Sequence, residues 1–171
     1  MLIGEEKWKD LNKNGFTLFT LFKDALYETS NFSINDTLQK NVANILEVNN
    51  LDLLPSSMDL IDLQDRLVSI PQGQFYSIKP TDIIKMAVNN IKDNYDYILI
   101  DCPPNMGLIT LNGLRIANGY IIPTIPDVLS TYGIPQIITR VDKFSDTIGE
   151  SIECLGIVAT KVRMQSKLHN N

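Results

Sequence analysis

Residues 95–107, Tyr-Asp-Tyr-Ile-Leu-Ile-Asp-Cys-Pro-Pro-Asn-Met-Gly, constrain the fold more than any other stretch of the chain. Ile98, Leu99 and Ile100 form a continuous apolar run, the pattern of a parallel strand covered on both faces. Pro103 cannot donate a ladder hydrogen bond, and Pro104 disfavours helix at the residue before it, so the strand is expected to end at Asp101. A carboxylate at the C-terminal end of such a strand lies where open α/β sheets bind their ligands. Two readings of Asp101 follow. It caps the next turn, or it holds a hydrated magnesium ion beside a nucleotide phosphate.

The flanking sequence repeats the pattern. Tyr120–Thr124 reads as a second buried strand ended by proline, and Leu155–Thr160 as a third. A shorter strand is expected over Leu51–Pro55. Helical spacing of apolar residues predicts helices over Phe16–Tyr27, Leu60–Leu67, Pro80–Ile91 and Leu108–Ala117, and a long one from Ile134 to Phe144. A weaker helix or loop covers Asn35–Glu47, and loops are expected over Ile70–Lys79 and Ile125–Gly133. Asn14-Gly15 is a natural entry turn to the first helix, and Ser56, Ser57 and Asp59 offer side-chain caps for the helix at Leu60. Strands alternating with helices imply βαβ units. The expected fold is therefore α/β, three-layered, with a mostly parallel sheet and helices on both faces, in a single domain over residues 1–171.

Composition narrows the function classes. The chain has 171 residues, 44% of them hydrophobic, a length that can bury a core. No apolar run reaches the ~18 residues of a spanning helix, and residues 1–7 lack the basic-then-apolar pattern of a signal peptide; a cytoplasmic protein with no membrane partner is expected. A net charge of −5 does not advertise nucleic acid. Lys161, Arg163 and Lys167 follow the last acidic residue, Glu153, and read more simply as a solvated helix start than as a nucleic-acid patch. Cys102 and Cys154 are too far apart for paired metal-ligand spacing, and His169 is the one histidine.

The candidate chemistry is correspondingly sparse. A G-x-x-x-x-G-K-[ST] loop would supply backbone N–H groups and a lysine to phosphates, but none of the nine glycines precedes a lysine. Cys102 has no arginine six residues on, where a cysteine phosphatase would grip phosphate; that position is Leu108, and the thiol reads as a small packed residue. Asp59, Asp62 and Asp65 share one helix face and read as a solvated acidic stripe. Asp127 and Thr160 follow the second and third strands. With Asp101 they bring three strand ends towards one crevice.

In this order the motifs resemble the ParA/Soj group of partition ATPases, within the deviant-Walker P-loop NTPase family that also contains MinD. The resemblance rests on Tyr95–Pro104 and Leu108-Ile-Thr-Leu-Asn112, supported by Leu51–Ser56 with Asp59-Leu60, Tyr120–Asp127 and Leu155–Thr160, and spans roughly Phe16 to His169. It implies that Asp101 is the Walker B carboxylate, catalytic and contacting magnesium through water. It implies that Pro103, Pro104 and Gly107 respond to the γ-phosphate, that Asp127 lies near the nucleotide and the dimer region, and that Thr160 lies near the base. The cofactors it implies are ATP and magnesium. The partners are a second copy or an intact ParA-like protein, a centromere-binding ParB-like protein and non-specific DNA.

The resemblance also places the family's K-G-G-x-G-K-[ST] loop, and a magnesium-serving aspartate on the second strand, ahead of Met1. It places the end of the adenine pocket beyond Asn171. The chain is then expected to be an internal portion of such an ATPase, inactive in hydrolysis alone. The alternative is a non-catalytic remnant that binds and modulates an intact relative, and a small α/β hydrolase or reductase unrelated to partition stands as a third reading.

Overall fold

The structure is a computed structural model that describes residues 2–45, 47–48, 50–68 and 79–162. Its residues group into two compact units, 1–99 and 100–171.

The first unit is helical. Helix α1, Glu5–Lys13, begins on two acidic residues and ends on a lysine, matching the helix dipole at both ends. Periodicity does not reveal it, because only Trp8 and Leu11 are apolar along it. Leu11 is buried, and the Trp8 indole donates to the Ser56 carbonyl at 2.9 Å. Asn14 and Gly15 make the expected turn, with Gly15 at φ +76°, into α2, Leu18–Tyr27. Helix α3 is a single turn, Ile34–Thr37, so the stripe read over Asn35–Glu47 does not become a longer helix. Asn41 instead turns the chain at φ +51°, and Gln39 pairs antiparallel with Leu53. Among the described residues, the strand expected at Leu51–Pro55 is reduced to that bridge and a Val42 amide donating to the Leu51 carbonyl at 2.7 Å.

Helix α4, Asp59–Val68, starts where its caps predict, the Ser57 hydroxyl accepting from the Asp59 amide at 3.2 Å. The helix expected over Pro80–Ile91 is shorter, a 3₁₀ turn at Pro80–Asp82 followed by α5, Ile83–Val88. Phe22 of α2, Leu60 and Leu63 of α4, and Ile83, Ile84 and Val88 of α5 are buried, and α2 packs on both α4 and α5. The loop read at Ile70–Lys79 falls, apart from Lys79, outside the described residues.

The second unit is a βαβ unit with one preceding helix. Helix α6 is Leu108–Leu114, three residues shorter at its end than the sequence suggests. Strand β1, Gly119–Thr124, pairs in parallel with β2, Glu153–Ala159, and the crossover is α7, Val128–Ile148. The α7 start corrects the loop expected through Gly133. The Asp127 carboxylate accepts from the Ser130 amide at 2.7 Å and caps the helix, which then runs through Pro135. Leu114, Val141 and Ile152 form the core, with Tyr120, Ile137, Phe144 and Ile148 packed against it. The β1–β2 register slips once, between Tyr120 and Ile121, where Leu155 is passed over and Gly156 stands at φ +149°.

Two expectations about strands need correction. The segment expected to be the central strand has no ladder partner among the described residues, and Tyr97 and Leu99 are 88% and 92% exposed. Strands β1 and β2 form, but only Ile122 is buried, while Ile121, Leu155, Ile157 and Val158 are exposed. The apolar run specifies what a covered strand requires; among the described residues the sheet has two strands, and these apolar side chains stay exposed.

Candidate functional site

Asp101 is exposed on the irregular segment that enters the Pro103-Pro104 turn. The turn is held by its own hydrogen bonds. The Asn105 amide donates to the Pro103 carbonyl at 2.8 Å, and the Asn105 side chain accepts from the Gly107 amide at 2.9 Å. The buried Thr110 hydroxyl reaches back from α6 to the Asn105 carbonyl at 2.6 Å and the Pro103 carbonyl at 3.4 Å. Pro104 is exposed and Pro103 partly covered.

Cys102 is exposed as a residue, and its sulfur lies against Gly113 of α6. A Cβ built on Gly113 would lie 3.1 Å from Cys102 Sγ and 3.1 Å from Ile100 Cγ2. Desolvation of the sulfur, and then the neighbouring Asp101 charge, push the thiol pKa up. A raised thiol is a poor nucleophile near neutrality, which supports reading Cys102 as a packing residue.

Asp127 and Thr160 share the C-terminal end of the β1–β2 pair. The Thr160 amide donates to the Thr124 carbonyl at 2.7 Å and its hydroxyl to the same oxygen at 3.2 Å, while Asp127, three residues beyond Thr124, caps α7. Asp101 stands on a segment outside this two-stranded pairing, so sheet hydrogen bonds do not carry it to that end. Sequence reasoning missed Thr110 and Asn105 as parts of the turn. The signal was Asn105-x-Gly107, the spacing at which an asparagine side chain accepts from the amide two residues on.

The donor set is thin for a metal nucleotide. Magnesium is commonly held by one or two carboxylates, waters and substrate phosphates. Asp101 is a single exposed carboxylate, and no group of three or more His, Cys, Asp or Glu side chains among the described residues could hold a metal ion. With no Gly-Lys pair in the sequence to cradle phosphate, these residues by themselves do not fit a complete magnesium–nucleotide site. Arg163, Lys167 and His169 lie outside the described residues.

Comparison with solved structures defines the class. Cobyrinic acid a,c-diamide synthase from Mycobacterium smegmatis, with bound ATP analog and magnesium, superposes with a TM-score of 0.67 over 93% of this chain and 57% of its own, at 22% identity. A plasmid partition protein from Borrelia burgdorferi superposes with a TM-score of 0.60 over 95% of this chain and 64% of its own, at 23% identity. The fold is thus an α/β fold of the P-loop NTPase type.

Sequence comparison is more specific. The AAA_31 family of AAA domains matches residues 10–154. The chromosome-partitioning ATPase Soj of Treponema pallidum is 32% identical over 121 residues, 71% of this chain and 45% of the relative. An uncharacterised Mycobacterium tuberculosis protein is 35% identical over 114 residues, 67% of this chain and 34% of the relative. The chain belongs to the AAA_31 family, and the relatives it resembles include ParA/Soj-type partition ATPases. In these two alignments it spans a third to under a half of the relative's length.

Proposed function

We propose that these residues are part of a ParA/Soj-type ATPase acting in plasmid or chromosome partitioning, through ATP-dependent dimerisation and DNA segregation. The observation that carries this reading is Asp101, exposed at the exit of an apolar segment and followed by a turn fastened to a helix. Asp101 is the Walker B-like carboxylate and serves magnesium through water. Pro103, Pro104, Asp127 and Thr160 line the nucleotide side, and ATP with magnesium is the cofactor of the complete enzyme. A second copy, a ParB-like protein and non-specific DNA are its partners.

The 171 residues alone do not hydrolyse ATP. Phosphoryl transfer is catalysed largely by preorganised donors that stabilise the charge of the transition state. Removing a single such donor costs roughly 2.7–4 kcal/mol of transition-state stabilisation, and here both the glycine-rich loop and its lysine are lacking from the sequence. The purified chain is expected to give no magnesium-dependent phosphate release above background. Turnover that disappears in Asp101→Ala would overturn that expectation.

A second reading, a non-catalytic module that binds and modulates an intact relative, is favoured by the exposure of Tyr97 and Leu99. Co-purification with an intact ParA-like ATPase, and a change in that enzyme's turnover on adding the chain, would support it. No binding at micromolar concentrations would remove it.

A further inference from the structure

We propose that Thr110 and Gly113, one turn apart on the same face of α6, are positioning residues for the Asp101 carboxylate. Residues three apart on a helix share a face, and these two meet the segment around Asp101 at successive points. Gly113 receives Ile100 and Cys102, whose side chains both lie 3.1 Å from the position its Cβ would occupy. Thr110, 6% exposed, ties down Pro103 and Asn105 through its hydroxyl. Ile100 and Cys102, two apart, both reach Gly113, which is the alternation of a chain whose residues i and i+2 face one side and i+1 the other. With Ile100 and Cys102 turned towards the helix, Asp101 between them is turned away from it, consistent with its exposure.

The helix does for this carboxylate what neighbouring strands do in a closed sheet. No ladder bond among the described residues fixes the segment. Its direction is set by a close approach that only glycine permits without displacing its neighbours, and by one buried hydroxyl with two carbonyl acceptors. The functional consequence rests on reading Asp101 as the magnesium-side carboxylate; the positioning itself requires no nucleotide.

The test uses the 171-residue chain in solution. Carbon–nitrogen couplings of the Asp101 side chain report its rotamer, and amide exchange at Gly107 reports the turn. In the parent chain Asp101 is expected to hold one dominant rotamer. Thr110→Val is expected to average that rotamer and to lower Gly107 protection by about fivefold, the worth of one ordinary hydrogen bond. Thr110→Ser, which keeps the hydroxyl, is expected to restore both, while Ile122 and Val158 in the β1–β2 ladder exchange at unchanged rates in all three proteins. Unchanged couplings in Thr110→Val, or failure of serine to restore them, would overturn the proposal.

If Thr110→Val also releases the ladder amides, Gly113→Ala decides the matter, because it leaves the hydroxyl in place and displaces Ile100 and Cys102. Altered Asp101 couplings with Gly107 still protected then support positioning. Unaltered couplings, or loss of the ladder in both variants, count against it. None of these readouts depends on hydrolysis, so failure here leaves the ATPase reading standing, and failure of that reading leaves this one testable.

Discussion

Asp24 and Asp52 each hold a loop with one carboxylate, and the two respond differently to perturbation. Asp24, 8% exposed, accepts from the Thr29 hydroxyl at 2.5 Å, the Asn31 amide at 2.7 Å, the Asn31 side chain at 2.9 Å and the Phe32 amide at 2.7 Å. Burial raises its pKa, but the hydrogen bonds together outweigh burial and leave it below the ordinary value. Asp24→Ala strands the Asn31 and Phe32 amides and is expected to cost about 2 kcal/mol in urea unfolding. Asp52 accepts from Lys40 at 2.7 Å, from the Tyr95 hydroxyl at 2.6 Å and from the Asn41 amide at 3.0 Å. The Lys40 and Tyr95 hydrogen bonds do most to lower its pKa from 3.8 to about 2. A depressed folded pKa stabilises above the unfolded value, so this contribution is complete above about pH 4 and fades as pH falls through about 2. Asp52→Asn is therefore expected to flatten the decline of stability over that interval, measured by denaturant unfolding at several pH values; an unchanged slope would contradict the linkage. Neither network was legible in the sequence, because the partners are chosen by the fold. Tyr95 is 43 positions from Asp52. The Ser57 cap was legible because its acceptor and donor are neighbours.

At the scale of elements, the helices that bury a stripe were readable and the ones that do not were missed or displaced. Phe22, fully buried, sits on α2 where the helix packs against α4 and α5. Phe22→Ala is expected to cost about 3–5 kcal/mol, the usual range for a large-to-small aromatic change in a core; a loss below 1 kcal/mol by thermal or chemical unfolding would mean that the α2 contacts are not the core of the first unit. Helix α1 was hidden because two apolar residues make no stripe, and its stability draws on end charges and on contacts at Trp8 and Leu11. In α7 the local cap at Asp127 settled the start, although Gly133 and Pro135 argued for a later one. The candidate site divides the same way. Asp101, Asp127 and Thr160 were visible as strand-end polar residues, whereas the Thr110 hydroxyl was not, since it is buried inside a helix and its acceptors are main-chain carbonyls.

At the scale of the whole molecule, apolar surface is exposed where a covered strand was anticipated. Tyr97 and Leu99 sit beside Ile98 and Ile100, which are 49% and 38% exposed. An extended apolar segment with unpaired backbone is a template for association, and a lysine on it is a natural deterrent. Leu99→Lys is expected to shift the chain towards monomer in sedimentation velocity across a concentration series; an already monomeric parent chain at high concentration would rule that out. The pairing of β1 with β2 has a different consequence. With Leu155 passed over, its side chain lies across Gly119, where even a Cβ would sit 2.8 Å from Leu155 Cγ. Slid by one residue, that leucine would meet the side chain of Tyr120 instead of bare backbone. The bulge therefore works as an index mark, setting the alignment in which Leu155 lies over bare backbone.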